Sequence, residues 1–395
     1  MSHIFDTYSK QILAFKLSGQ HGREVFSPEA DIEKATIQHL KFAERRSADA
    51  LIIFGFTDGK LIKNIALNKQ DHLKLIICGL YPDHIRTAEK QVLKIISETP
   101  NTFLLTDSSM WSILMLLGQN GYNTANCHLI LNPDLRNDSK TEHQKLQKIF
   151  SGLKEITLPE TNKDITISGA AILSPNEPDL DKFINSFPGW LHEIILVWDC
   201  CNENDYPKLS HQSGVRIINR HHPLNADFGK QRNRMLSRCS GEWIFYLDAD
   251  ERLHQEGWAL LRSLASYNEC SSWYLPRLTF YPDENHCRAG YGLWPDLQMR
   301  FFRNSDELMF ENKIHEQLQG LKNASGIASM AYISHLTHLL KSRSHIESKL
   351  ESFNVATDGR FKHQLGKEFP NLATSILKPL KMYPNAPVIL PELNF

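Results

Sequence analysis

An α/β protein with two sheet-bearing domains is what the sequence predicts, and three observations carry that expectation. From about residue 50 onward, short apolar runs bounded by turn residues alternate with stretches of helical apolar spacing. A polar, proline-bearing stretch, Leu158-Pro159-Glu160-Thr161-Asn162-Lys163, interrupts the alternation, which then resumes. The apolar run Trp243-Ile244-Phe245-Tyr246-Leu247 leads into Asp248-Ala249-Asp250-Glu251, which places three carboxylates where a buried strand should emerge. At 395 residues the chain exceeds one ordinary core. The expected divisions are an α/β domain over 1–160, a second over 161–340, and a helical tail over 341–395 that packs on the second.

In the first division, residues up to about 47 read as helical and charged, with helical spacing over Ile32–Leu40. Strands are expected at Leu51–Phe56, Leu73–Cys78, Thr102–Thr106 and His128–Leu131. Helices are expected between and after them, at Lys60–Leu67, Ile85–Glu98, Ser109–Gly118 and Thr141–Leu153. This alternation implies a parallel, Rossmann-like sheet. The loop Phe54-Gly55-Phe56-Thr57-Asp58-Gly59 lacks the Gly-x-Gly-x-x-Gly order. The second strand leads into Cys78-Gly79-Leu80, where a ribose-binding acid would stand, and Asp83 is the nearest carboxylate. The domain vaguely resembles a degenerate methyltransferase. It is expected to act as a scaffold, partner or acceptor-binding unit and to carry no methyl-transfer activity.

The second division opens with a strand over Ile165–Leu173, followed by Asn176-Glu177. Helical spacing over Leu180–Phe187 leads to a strand at Glu193–Trp198, which ends in Asp199, and a shorter strand follows at Val215–Asn219. A helix carrying Arg232 precedes the Trp243–Leu247 strand. Asp248 and Asp250 share a direction if strand geometry persists, because side chains repeat every two residues. Unpaired carboxylates are costly to bury, and two convergent oxygen donors at a strand end suit a divalent metal that holds a diphosphate. Beyond Glu251 an amphipathic helix runs through Trp258, Leu261 and Leu264, and Ser272–Tyr281 reads as one aromatic strand. His335 and His338 lie three apart without a third ligand at matching spacing.

The order of these blocks resembles family 2 glycosyltransferases. The matching residues are Phe228, Arg232-Asn233, Gly241-Glu242-Trp243, Leu247–Glu251, Pro295-Asp296 before Arg300-Phe301-Phe302-Arg303, and Ile314-His315-Glu316. The likeness covers roughly Asp164 to Leu340. It implies a GT-A fold and inverting transfer of a sugar from a nucleotide-diphosphate donor, a UDP-sugar, to an acceptor hydroxyl. It further implies that Asn176, Glu177, Asp199, Arg232 and Asp248 contact the donor and that Asp250 and His315 ligate a metal. Asp296 and Glu316 become the candidates for the base, Asp296 first. An imidazole ligand favours manganese over magnesium. One departure is Asp199-Cys200-Cys201-Asn202, which stands where the family carries Asp-x-Gly-Ser.

Composition excludes several classes. The net charge of −1 gives no electrostatic case for nucleic acid or an anionic membrane. No segment approaches the roughly 18 apolar residues of a membrane span, although peripheral membrane contact stays open. Met1–Gly19 lacks the apolar core of a secretory signal. Seven irregularly spaced cysteines argue against a disulfide framework and for a cytoplasmic protein. The acceptor is a glycan, a lipid-linked glycan or a protein. Two alternatives remain: a catalytically inactive binding module of the same fold, or a bifunctional protein whose N-terminal domain binds a small molecule.

Overall fold

The computed structural model describes residues 4–15, 23–162, 164–356, 368–377 and 387–391. Four strands, Ala50–Phe54, Lys74–Gly79, Thr102–Thr106 and Cys127–Leu131, form the first sheet. All pair in parallel, with Ala50–Phe54 and Lys74–Gly79 in the middle and the other two at the edges. Every residue of Ala50–Phe54 is buried, which is why its apolar run shows no alternation. The helix expected over Ile85–Glu98 is two helices, Pro82–Arg86 and Lys90–Glu98.

The second sheet is nine-stranded and mixed. From one edge its order is Lys154–Glu155, Val388–Ile389, Ala324–Ile327, Cys270–Leu275, Gln298–Arg303, Trp243–Tyr246, Ile167–Leu173, Glu193–Trp198 and Ile217–His221. The last four pair in parallel, and Gln298–Arg303 runs antiparallel to both of its neighbours. The central strand feeds two cores by its pleat. Trp243 and Phe245 pack with Phe301 and Trp258 on one side, while Ile244 and Tyr246 pack with Met235, Phe302 and Phe310 on the other. Each fully buried aromatic of this kind contributes about 1.5–3 kcal/mol. Gly241 sits where the chain enters the strand: a Cβ there would lie 2.6 Å from the Ser168 backbone nitrogen, so only glycine allows the approach.

Three expectations change. Ser272–Tyr281 is not one strand: Pro276 divides it into Cys270–Leu275 in the large sheet and Arg277–Thr279 in a small one. Proline cannot donate to the ladder, so pairing stops there. Before the helix Gln255–Ala265, Glu251–Leu253 forms a short strand. The tail is not purely helical, since beside the helix Arg343–Ala356 it supplies Asn371–Ala373, paired with His286–Arg288, and Val388–Ile389, paired with Ala324–Ile327. Pro379, Pro384, Lys163 and part of Met1–Gly19 lie outside the described residues.

The two sheets are separate, yet one hydrophobic cluster runs between them. Phe5, Tyr8 and Ile12 of the helix Ile4–Ala14 share it with Leu278, Phe280 and Trp294. Across this contact the Tyr8 hydroxyl donates to Asp107 Oδ2 at 2.5 Å, and the Tyr291 backbone N–H donates to Asp107 Oδ1 at 2.9 Å. Burial pushes the Asp107 carboxyl up from 3.8 to about 6, against the pull of its hydrogen bonds. The folded state therefore keeps a proton that the unfolded chain releases near pH 4, so stability falls as pH rises from about 4 to about 6. The contribution is on the order of 3 kcal/mol. Asp107→Asn should remove it, which denaturant melts of both proteins across that range will reveal. A stability difference between wild type and variant that stays constant from pH 4 to 6 would refute this account.

Candidate active site

The central strand stops at Tyr246, and Asp248-Ala249-Asp250 forms a turn closed by the Glu251 N–H donating to the Asp248 carbonyl at 2.9 Å. Strand geometry therefore does not persist, and the two aspartates part. Asp248 is 34% exposed and Asp250 only 7%.

Asp248 is held by two arginines. Arg232 Nη2 meets Oδ1 at 3.2 Å and Arg300 Nη2 meets Oδ2 at 2.8 Å. Arg300 also reaches Glu251 Oε1 at 2.8 Å, and Arg277 Nη1 meets the same oxygen at 2.9 Å. Burial opposes the charge on Arg300, but Asp248 and Glu251 outweigh it and hold the guanidinium protonated. The faces of Arg232 and Arg300 lie over the Tyr246 ring, 4.7 and 4.6 Å from its centroid. Arg232 is not a surface arginine: its Nε meets Glu316 Oε1 at 3.2 Å, and its Nη1 is buried without a hydrogen-bond partner. Glycine explains the closeness of Glu316. The helix Phe228–Leu236, capped by Asp227, packs on the hairpin loop ahead of Glu316 so tightly that a Cβ on Gly229 would lie 2.3 Å from the Asn312 carbonyl oxygen.

Asp250 has a different company. Lys341, 2% exposed, places Nζ 3.0 Å from Asp250 Oδ2 and 2.9 Å from Glu177 Oε2. Burial opposes this ammonium too, and the two carboxylates raise its pKa above the ordinary value. His335 Nε2 lies 3.7 Å from Asp250 Oδ1, and its Nδ1 is 2.9 Å from the Thr279 hydroxyl. Burial and the nearby Arg277 push the His335 pKa down, so the ring is neutral.

The sequence-derived residues divide accordingly. Asp248, Asp250, Arg232, Glu316 and Glu177 fall into this one network. Asp296 joins through Arg277, whose Nη2 lies 2.7 Å from Oδ2; Gln298 Nε2 donates to Oδ1 at 2.8 Å. Its φ of 45° places it in the sparsely populated left-handed region. Asp199 caps a loop, accepting from the Leu224 N–H at 2.7 Å, and Asn176 sits in the turn after Ile167–Leu173. His315 is exposed, at φ 56°, beside Glu316. Sequence reasoning assigned no role to Arg277, Arg300 or Lys341. Arg300 was the one it could have found, inside the Pro-Asp-x-x-x-Arg segment.

A divalent ion fits here only with help. Among the described residues no group of three or more His, Cys, Asp or Glu side chains could hold a metal. Asp250 Oδ1 and His335 Nε2 stand too far apart for a hydrogen bond and at a separation that one ion can bridge. A neutral imidazole oriented through Nδ1 is the ligating form. The remaining ligands would be phosphate oxygens, as for ions that arrive with a nucleotide.

In the first sheet, the strand-end loop where a cofactor would lie is filled by the chain itself. The buried Glu24 carboxylate accepts from the backbone N–H groups of Phe56 (3.1 Å) and Thr57, with His143 Nε2 at 3.5 Å. His143 Nε2 in turn accepts from the Leu80 N–H at 3.2 Å, just beyond the second strand.

Comparison with known proteins finds the following likenesses. A TPR repeat-containing protein of Synechococcus elongatus is 30% identical over 122 residues, which is 31% of this chain and 28% of that protein's length. The crystal structure of S. aureus TarS 1-349 is similar at 12% identity and a TM-score of 0.31, covering 51% of this chain and 67% of that one. Its complex with UDP-GlcNAc gives 13%, 0.32, 51% and 68%. The family model for glycosyl transferase family 2 matches residues 175–334, a span that holds every network residue described above except Lys341 and His335. Residues 175–334 thus carry the match to glycosyl transferase family 2.

Proposed function

We propose that this domain, taken as 161–340 with the tail packed on it, moves a sugar from a UDP-sugar to an acceptor hydroxyl with inversion. The observation that carries the reading is the pair of aspartates at the end of Trp243–Tyr246, one set among arginines and the other between Lys341 and His335. Asp248, steadied by Arg232 and Arg300, faces the ribose and diphosphate side. Asp199 and the Asn176-Glu177 turn line the place of the base. Asp250 and His335 would hold a divalent ion, manganese before magnesium, which when bound offsets the negative charge that grows on the departing diphosphate. Lys341 fixes the Asp250 rotamer through Oδ2 and leaves Oδ1 turned toward His335. The unpartnered Arg232 Nη1 offers one more donor to the same charge. Asp296, oriented by Arg277 and Gln298, takes the proton of the acceptor hydroxyl. For the N-terminal division 1–160 we favour a scaffold or partner-binding role, because Glu24 occupies its strand-end loop.

Calorimetry tests the donor half of this reading. UDP should bind the 395-residue chain with manganese and lose most of its affinity in excess chelator. Equal, tight binding in both conditions would sink the metal-bridged form of the proposal, and no binding in either would sink the donor assignment.

A further inference from the structure

Arg288 stands apart from the arginines of the network. It ends the strand His286–Arg288, which pairs with Asn371–Ala373 of the tail. Its guanidinium lies over the Phe369 ring, 3.7 Å from the centroid, with the Tyr281 ring at 5.8 Å. Its Nη2 donates to His338 Nε2, and its Nε is buried with no hydrogen-bond partner. Among the described residues no carboxylate lies within 4.0 Å of it. Burial, with Arg277 adding to it, pulls this guanidinium down to about 10, whereas Arg232, Arg277 and Arg300 are all driven up by their acids.

A half-buried cation without an acid is costly, and the cost is recovered when an anion binds. An arginine stacked on an aromatic ring and steadied by a histidine is pre-organised for charge-assisted contact with a phosphate or carboxylate. Its place matters as much as its chemistry. His338 lies three residues beyond His335, and Asp296 is near enough for its charge to act on Arg288. His335 ends a strand paired with Arg277–Thr279, and Arg277 holds Asp296, so Arg288, bonded to His338, lies on the Asp296 side of the site.

We propose that Arg288, on its Phe369 platform and beside His338, binds an anionic group of the acceptor, a phosphate or a carboxylate, next to Asp296. The proposal rests on the glycosyl-transfer reading for the word acceptor, but the anion site itself does not.

The test uses the 395-residue chain saturated with UDP and manganese, so that the donor position is filled. Inorganic phosphate and acetate are then titrated separately by calorimetry. Wild type should bind at least one of them, and which one it prefers distinguishes a phosphate-bearing from a carboxylate-bearing acceptor. Arg288→Met should weaken that binding roughly 10–100-fold, the range for losing hydrogen bonds to a charged group. Arg288→Lys should keep part of it, because a point charge remains without the fork. Thermal melts verify that both variants fold. Wild type that binds neither anion, or that binds no better than Arg288→Met, overturns the proposal. Should UDP itself not bind, the donor reading fails, and the same titrations on the UDP-free protein still decide the role of Arg288.

Discussion

Asp250→Asn should lose transfer by roughly 10³-fold or more, and manganese should no longer strengthen its UDP binding. The size follows from what the carboxylate does. Its Oδ1 faces His335 Nε2 across 3.7 Å, and it would hold an ion whose task is to offset charge in the transition state. Removing one pre-organised stabiliser of that kind costs about 10²–10³-fold, and loss of a metal ligand adds to it. The substitution keeps size and shape, so the buried Lys341 retains Glu177 as its partner. His335→Gln separates the two parts of the account. If the imidazole is a ligand, that variant should need more manganese for the same UDP affinity while its melting temperature stays near that of wild type. Manganese-enhanced UDP binding that survives Asp250→Asn would remove Asp250 from the metal site.

The sequence made the location of this site legible, but not its wiring. Buried parallel strands have nowhere to put carboxylates except at their ends, so Trp243–Leu247 running into Asp248 fixed the place. The strand Thr102–Thr106 is legible to the residue for a related reason, since its apolar run is bounded on both sides. What failed was any inference that needed contacts distant in sequence. Lys341 lies 91 residues from Asp250, and nothing local marks one lysine of the tail as a buried counter-ion. His335 reaches Asp250 because the strands Glu251–Leu253 and Ile333–His335 pair, with Glu251 opposite His335. A three-residue strand has too little periodicity to announce itself. The shared direction of Asp248 and Asp250 failed for a local reason: the strand ends one residue early, at Tyr246, and the turn sends one aspartate toward arginines and the other inward. The cluster joining the two sheets was equally invisible, because apolar residues such as Tyr8 and Trp294 look alike in a domain's own core and at a contact between domains.

Asp296→Asn should keep UDP affinity nearly unchanged while transfer falls roughly 10²–10⁴-fold, the range for removing a general base. The donor side is spared because Asp296 contacts Arg277 and Gln298, not the aspartates of the Asp248 turn. Its left-handed backbone argues for a side chain held in place at some cost, and Gln298 and Arg277 define its plane from both sides. The same contacts set a condition on the chemistry. Arg277 divides its guanidinium between Asp296 and Glu251, so Asp296 accepts a proton only with a cation already beside it. The acceptor hydroxyl gives up its proton as the bond to the sugar forms. Glu316→Gln is the contrast. Glu316 meets Arg232, which in turn meets Asp248, so its loss should disturb donor binding as well as transfer. Single-turnover transfer at saturating donor, with UDP affinities measured on the same preparations, separates the two. Near wild-type transfer by Asp296→Asn, with Glu316→Gln inactive but binding UDP normally, would move the base to Glu316.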